Sequence, residues 1–201
     1  LEDVFRERDR FDELAQLLEV SAEDRRVGPH RVRLERELAR IYELQLDDAP
    51  RALLALRRAI SHAPDDRELL DEVMRLGLIT GDLAGVAETY EGVLSRTDNA
   101  LLQNYVLLKL GHIYGNVLSR TDDAVRVYWS ILEHEPSHGE ARRRLLRIHE
   151  RKGDDREVAR LLEMEIVGQE GAPETFATLE RLLTLYTDRI DDPERAVEAC
   201  R

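Results

Sequence analysis

The sequence predicts an all-α chain, a solenoid of about five antiparallel helix hairpins running through residues 1–201. Three observations lead there. Aromatic residues make up only 5% of the chain while Leu, Ala, Arg and Glu are abundant, a composition that suits helices better than sheets. The sequence repeats itself at a fixed interval. All six prolines fall at or beside the boundaries of apolar, helix-periodic segments, where a missing N–H costs least.

The interval is 72 residues, and it runs without gaps. It pairs Leu38 with Leu110, Ile41 with Ile113, Tyr42 with Tyr114, Leu46 with Leu118, Ala52 with Ala124 and Pro64 with Pro136. The same register carries Gly81-Asp82 onto Gly153-Asp154, and Val86, Ala87 and Glu91 onto Val158, Ala159 and Glu163. A third copy opens with Leu182, Leu185, Tyr186, Ile190 and Ala196.

Within each 72-residue unit the second helix of a hairpin begins at a recurring landmark: Leu14, Ala52, Val86, Ala124, Val158 and Ala196. The steps between them are 38, 34, 38, 34 and 38, so longer and shorter hairpins alternate. In order, helices are expected near 10–20, 30–46, 50–62, 66–79, 83–96, 101–118, 122–134, 138–151, 155–168, 174–189 and 193–201. They assemble as hairpins over 30–62, 66–96, 101–134 and 138–168, with a partial one at 1–20 and a truncated one at 174–201. Asp48, Thr121 and Asp192 stand where an N-cap is useful. The first nine residues read as the tail of a helix, and the last helix stops at Cys200-Arg201 with its apolar pattern unfinished. Neither end offers the polar face of a terminal cap, so a segment of a longer array is expected.

These landmarks resemble the tetratricopeptide pattern, in which small and large apolar positions recur over a helix pair of about 34 residues. Leu38-Ala39-x-x-Tyr42 followed by Ala52, Leu56, Ala59 and Pro64 is similar to it, with one extra loop residue. So is Leu110-Gly111-x-x-Tyr114 followed by Ala124, Tyr128, Ile131 and Pro136. The intervening hairpins depart, with Gly77 and His149 at the usual Tyr position and Glu165 at a usually small one. The resemblance covers nearly the whole chain and implies a right-handed superhelix whose first helices line a concave groove that holds other proteins.

The chemistry of catalysis is missing from the sequence. There is no Gly-rich phosphate loop, no G-x-S-x-G elbow and no cysteine with a histidine partner in context. No enzyme activity, cofactor or metal is expected. His134-Glu135-Pro136-Ser137-His138 has suggestive spacing, but Pro136 breaks the helix that would align the two imidazoles. His134 also repeats His62, as befits a helix end. The pairs Asp47-Asp48, Asp122-Asp123 and Asp191-Asp192 fall in turns, where Asp caps helices and solubilises loops.

Binding is the remaining option, and the repeat says where to look. On the helix over 30–46, Arg33, Arg36 and Arg40 lie within about 60° of one another at about 100° per residue, opposite Leu34, Leu38, Ile41 and Tyr42. Seventy-two residues on, the same face carries Tyr105, Leu108 and His112, on a helix that is apolar nearly all round. Arg75 on the preceding first helix and Arg143 and Arg147 on the following one frame that strip with positive charge. The pattern suits an acidic partner segment with a hydrophobic anchor. The competing explanation is that the central helix is apolar because neighbouring hairpins bury it, while the arginines pair with nearby Glu and Asp. The clamp version of the family that grips a carboxyl terminus uses Lys and Asn where this chain has Arg, Leu and His. Trp129 and Tyr128 read as packing between repeats.

The expected function is a bacterial protein-interaction scaffold, with a peptide- or ligand-sensing regulatory domain attached to an output domain as the alternative. A nucleic-acid-binding helical repeat ranks third, because a net charge of −12 and a pI near 5.0 oppose phosphate binding. Self-association is allowed. The partner is expected to be a protein or peptide, with no insertion into membrane, since no run of about 18 apolar residues occurs. A cytoplasmic location is favoured and a periplasmic one allowed, because the single Cys200 requires no oxidising compartment and Leu1 rather than Met opens the chain. Positive charge comes almost wholly from Arg, with Lys109 and Lys152 the only lysines, as in proteins of GC-rich bacteria.

Overall fold

The computed structural model describes residues 10–23, 29–167 and 173–199, so the expected helix tail at 1–9 and the end at Cys200-Arg201 lie outside it. Among the described residues every regular element is helical: α1 (Phe11–Glu23), α2 (Pro29–Leu44), α3 (Ala49–His62), α4 (Arg67–Thr80), α5 (Leu83–Leu94), α6 (Ala100–His112), α7 (Thr121–His134), α8 (Gly139–Lys152), α9 (Asp155–Val167), α10 (Pro173–Leu185) and α11 (Pro193–Ala199). Two short π-helical turns, Ile113–Val117 and Tyr186–Ile190, extend α6 and α10.

The contacts divide the chain into two compact units, Leu1–Val106 and Leu107–Arg201. In the first, α1 packs on α2, α2 and α3 form a hairpin, and α4 and α5 form the next, with α3 touching both. Its core is drawn from the landmark stripes: Leu14, Leu38, Ala52, Leu56, Leu69, Leu76, Val86 and Tyr90 are all buried. In the second unit α7 packs on α8, α8 on α9, α9 on α10 and α10 on α11. There Ile113, Ala124, Ile131, Leu145, Val158, Leu162, Leu182 and Tyr186 are buried. Most of the helices are amphipathic, α6 being apolar nearly all round, and burial of apolar faces against neighbours supplies most of their stability.

Two turn designs join the paired helices within the hairpins. The tight one uses Gly81 and Gly153, both in the left-handed region (φ 77° and 70°), which glycine enters without the Cβ penalty. After Gly81, Asp82 caps α5 by accepting the Gly85 N–H at 2.9 Å. The wide turn closes six residues back: the N–H groups of Asp48, Arg120 and Asp192 donate to the carbonyls of Tyr42, Tyr114 and Tyr186 at 2.7, 2.7 and 2.9 Å. Each is preceded by a left-handed residue, Asp47, Ser119 or Asp191. The helix expected over 101–118 therefore stops as α-helix at His112 and that over 174–189 at Leu185, with the π turns carrying the chain onward.

The caps correct one expectation. Asp48 and Asp192 accept the N–H groups of Arg51 and Arg195 at 2.9 and 3.1 Å, as N-caps should. Thr121 is already the first helical residue of α7, and the cap position belongs to Arg120, which makes no side-chain capping bond. The same register explains the histidine pair. His138 replaces Asp66 as a cap, its Nδ1 accepting the Ala141 N–H at 3.3 Å, and His134 donates to the Ser130 carbonyl at 2.8 Å. Gly77 replaces the usual tyrosine because α5 comes close there: an added Cβ would lie 2.3 Å from Val86 Cγ2. Glu165 stands at a usually small position because the buried Arg142 lies 3.8 Å from its carboxylate.

The recurring tyrosine is anchored by a carboxylate from the preceding helix. Tyr42 donates to Glu19 at 2.6 Å and Tyr186 to Glu163 at 2.6 Å, with Arg51 over the Tyr42 ring at 4.8 Å. Burial first, and then the Glu19 carboxylate, push the Tyr42 hydroxyl up to about 12 from its usual value near 10. A raised phenol pKa favours folding while the phenol is neutral, so this contribution is complete below pH ~10 and is lost as pH climbs towards about 12. Between pH of about 9 and 11 the chain should lose more stability than its Tyr42→Phe variant, as read from urea midpoints. Equal losses would show that Tyr42 ionises as an ordinary surface phenol.

Candidate partner-binding surface

Helix α2 presents Arg33, Glu37, Arg40 and Leu44 along one stripe, at spacings of four, three and four residues. In the first unit this stripe faces a cavity of about 600 Å³. Phe11 from α1 and Glu68 and Glu72 from the first two turns of α4 complete its walls. Arg33, Arg36 and Arg40 all line it, so three residues expected to act together do meet.

Their roles differ, however. The Arg36 guanidinium lies 3.1 Å from Glu72, 3.5 Å from Asp66 and 3.6 Å from Glu68, so its charge is spent holding α2 to the start of α4. Arg33 and Arg40 are exposed, and neither has an ion-pair partner among the described residues. Beside them Leu44 leaves 69% of its surface in water, an apolar contact site next to two open guanidinium forks.

The other expected residues are placed as follows. Arg75 is occupied by Glu43 through two bonds of 2.5 and 2.7 Å, and that pairing holds the Glu43 carboxyl below the ordinary range. Tyr105 donates to Asp71 and lies under Arg67, whose guanidinium carbon is 4.2 Å from the ring centre. Burial and Asp71 push the Tyr105 hydroxyl up to about 12, so it is neutral at physiological pH and already used. Leu108, His112, Arg143 and Arg147 lie in the second unit. There Leu108 is half-buried, while the other three are exposed. The His112 Nδ1 is 2.8 Å from the Asn116 amide. Arg36 and Arg75 are thus tied by carboxylates of their own unit, as the competing explanation has it. The apolar face of α6 is also largely satisfied, with Leu102, Val106 and Leu110 buried and Leu101 exposed.

Sequence reasoning missed Leu44, Glu68 and Glu72. Extending the Arg33 stripe by one more turn reaches Leu44. The acidic pair needed knowledge of how α4 docks on α2, which a 72-residue comparison does not contain. Among the described residues no cluster of three or more His, Cys, Asp or Glu is placed to hold a metal ion. None of their helices is long and apolar enough to cross a membrane.

The described residues form an α-helical hairpin repeat with a tetratricopeptide-like fold. Among solved structures the chain is similar to MamA, at a TM-score of 0.50 and 15% identity over 85% of this chain and 95% of that one. A MamA from Desulfovibrio magneticus RS-1, residues 41 to the end, aligns at a TM-score of 0.48 and 17% identity over 87% of this chain and 93% of that one. No protein-family model matches the chain, and no curated protein matches its sequence.

Proposed function

We propose that the chain is a protein-interaction module built from alternating 34- and 38-residue hairpins, and that the cavity between α1, α2 and α4 takes a short segment of a partner protein. The observation that carries this reading is the pairing of two open guanidinium groups, Arg33 and Arg40, with the exposed Leu44 on one stripe of one helix. Guanidinium forks fit carboxylates bidentately, and covering an exposed Leu contributes on the order of 1.5–3 kcal/mol. The segment that fits carries an acidic residue or two beside a large apolar one. Glu37, Glu68 and Glu72 on the same walls repel an acidic residue placed away from Arg33 and Arg40, and so set the register. The tetratricopeptide-type fold supports a binding role, and the overall charge of −12 argues against nucleic acid.

The test is selection of displayed random peptides on the immobilised chain, followed by fluorescence anisotropy with the enriched sequences. Acidic-apolar peptides should be enriched, and the double variant Arg33→Glu with Arg40→Glu should weaken them at least ~10-fold, about 1.4 kcal/mol, with far-UV circular dichroism unchanged. Enriched peptides that bind the double variant equally well would sink the proposal.

A further inference from the structure

A second cavity lies in the first unit on another pair of helices, between α3 and α5, and encloses about 510 Å³. Arg57, Arg58 and Arg96 line it, over a floor that includes the buried Ile60 and Val93 and beside the half-exposed Leu54. The same groove exists between α7 and α9 of the second unit, where positions 72 residues on carry Trp129 for Arg57, Leu132 for Ile60, Arg160 for Glu88 and Met164 for Gly92. There Arg160 stacks on Trp129 at 4.4 Å and the space shrinks to about 280 Å³. The fold therefore does not require the groove to be open. In the first unit it is open because Gly92 has no side chain, and a Cβ there would meet nothing within 4 Å.

The donors in this open groove are held in place and incompletely used. Glu35, 1% exposed, accepts the Arg58 Nε–H with both oxygens at 2.9 and 3.1 Å, which fixes the guanidinium and leaves its two terminal nitrogens without a partner among the described residues. Arg96 spends only Nη1, on the Ser61 carbonyl at 3.0 Å. With five N–H groups to an arginine, about eight donors of Arg58 and Arg96 remain for a ligand. Arg57 is anchored through Nε to Thr89 at 2.8 Å, and its terminal nitrogens lie 3.4 and 3.3 Å from Asp82 and the exposed Glu88.

From this arrangement we infer that the α3/α5 groove is a binding site for a small organic phosphomonoester, the phosphoryl group held by Arg58 and Arg96 and the apolar portion laid against Leu54 and Val93. Three terminal phosphoryl oxygens accept more of the free N–H groups than the two of a carboxylate. An apolar floor with a few convergent polar groups, in a volume within about 300–1,000 Å³, is the usual form of a small-molecule site. The site uses other helices than the partner cavity does, so either proposal stands without the other.

Isothermal titration calorimetry of the whole chain with phenyl phosphate, phenylacetate and inorganic phosphate tests it. Phenyl phosphate should saturate at one equivalent per chain and bind at least ~10-fold tighter than either of the others. Arg58→Gln and Arg96→Gln should each weaken it at least ~10-fold. Gly92→Met, which imitates the closed groove of the second unit, should abolish binding with the helical spectrum intact. Because Arg58→Gln also removes the hydrogen bonds to the buried Glu35 and leaves it only the Arg31 ion pair at 3.8 Å, the exposed Arg96 and the open Gly92 are the decisive positions. Absence of saturable heat below about 10 mM, affinity unchanged in Arg96→Gln and Gly92→Met, or inorganic phosphate binding as tightly as phenyl phosphate would overturn the inference. So would sedimentation with phosphatidic acid vesicles that depends on Arg96 while phenyl phosphate gives no heat, which would point to a membrane surface instead.

Discussion

Replacing Tyr90 with Ala is expected to destabilise the first unit by about 3–5 kcal/mol, the range for emptying a large aromatic site in a packed core. Tyr90 lies on α5 with none of its surface exposed, and its hydroxyl donates to the Leu70 carbonyl of α4 at 2.9 Å. Burial pushes its phenol well above the usual value, so the side chain stays neutral throughout the working pH range. The ring and the hydroxyl separate cleanly by substitution. Tyr90→Phe keeps the volume and removes one hydrogen bond, at a cost of about 0.5–1.5 kcal/mol. Urea unfolding followed by circular dichroism gives both numbers. Similar losses for the two variants would mean that the hydrogen bond, and not the packing of α4 on α5, carries the site.

The second large effect is expected in the other unit. Gly111 sits on α6 where α7 approaches, and an added Cβ would lie 2.4 Å from ring carbons of the buried Tyr128. Gly111→Ala should therefore destabilise by about 1–3 kcal/mol, the usual cost of overpacking, despite the ~0.5–1 kcal/mol that alanine ordinarily returns to a helix. Gly92 on α5 is the matched control, because a Cβ there meets open space. Gly92→Ala should stabilise by about 0.5–1 kcal/mol. Thermal unfolding of the pair should move in opposite directions. If both variants were stabilised, α6 and α7 would be free to separate and the close approach would not be a requirement of the fold.

The architecture could be read from the sequence because each landmark reports a backbone event that must recur. Leu38, Leu110 and Leu182 are buried equivalents, and Gly81 and Gly153 are both left-handed helix ends. Where a different residue performs the recurring job, reading by identity fails. The left-handed position of the wide turn is Asp47, then Ser119, then Asp191, and the cap of the corresponding helices is Asp48, then Arg120 with no capping bond, then Asp192. His138 caps α8 as Asp66 caps α4, its Nδ1 accepting a backbone N–H where Asp66 offers a carboxylate oxygen.

The surface was harder to read than the core, for a physical reason. An apolar stripe buries whichever neighbour it meets, whereas an arginine's availability depends on which carboxylate lies opposite. Arg36 and Arg40 are equally prominent in the sequence, yet only Arg36 meets Asp66, Glu68 and Glu72, all from the next hairpin. Arg75 is likewise held by Glu43 from the preceding one. Glu35, on the polar-looking part of α2, is buried because Arg58 of α3 reaches it, 23 residues away. None of these pairings follows from spacing along one helix.

Binding of a partner segment to the α1/α2/α4 cavity is tested most directly by amide chemical-shift mapping of the isotope-labelled chain on titration with a peptide enriched by display. The perturbed amides should cluster at Phe11, Arg33, Arg40, Leu44 and Glu72, around the cavity where open guanidinium groups stand beside the exposed Leu44. A saturable binding event that leaves those amides unmoved and shifts another surface would contradict it.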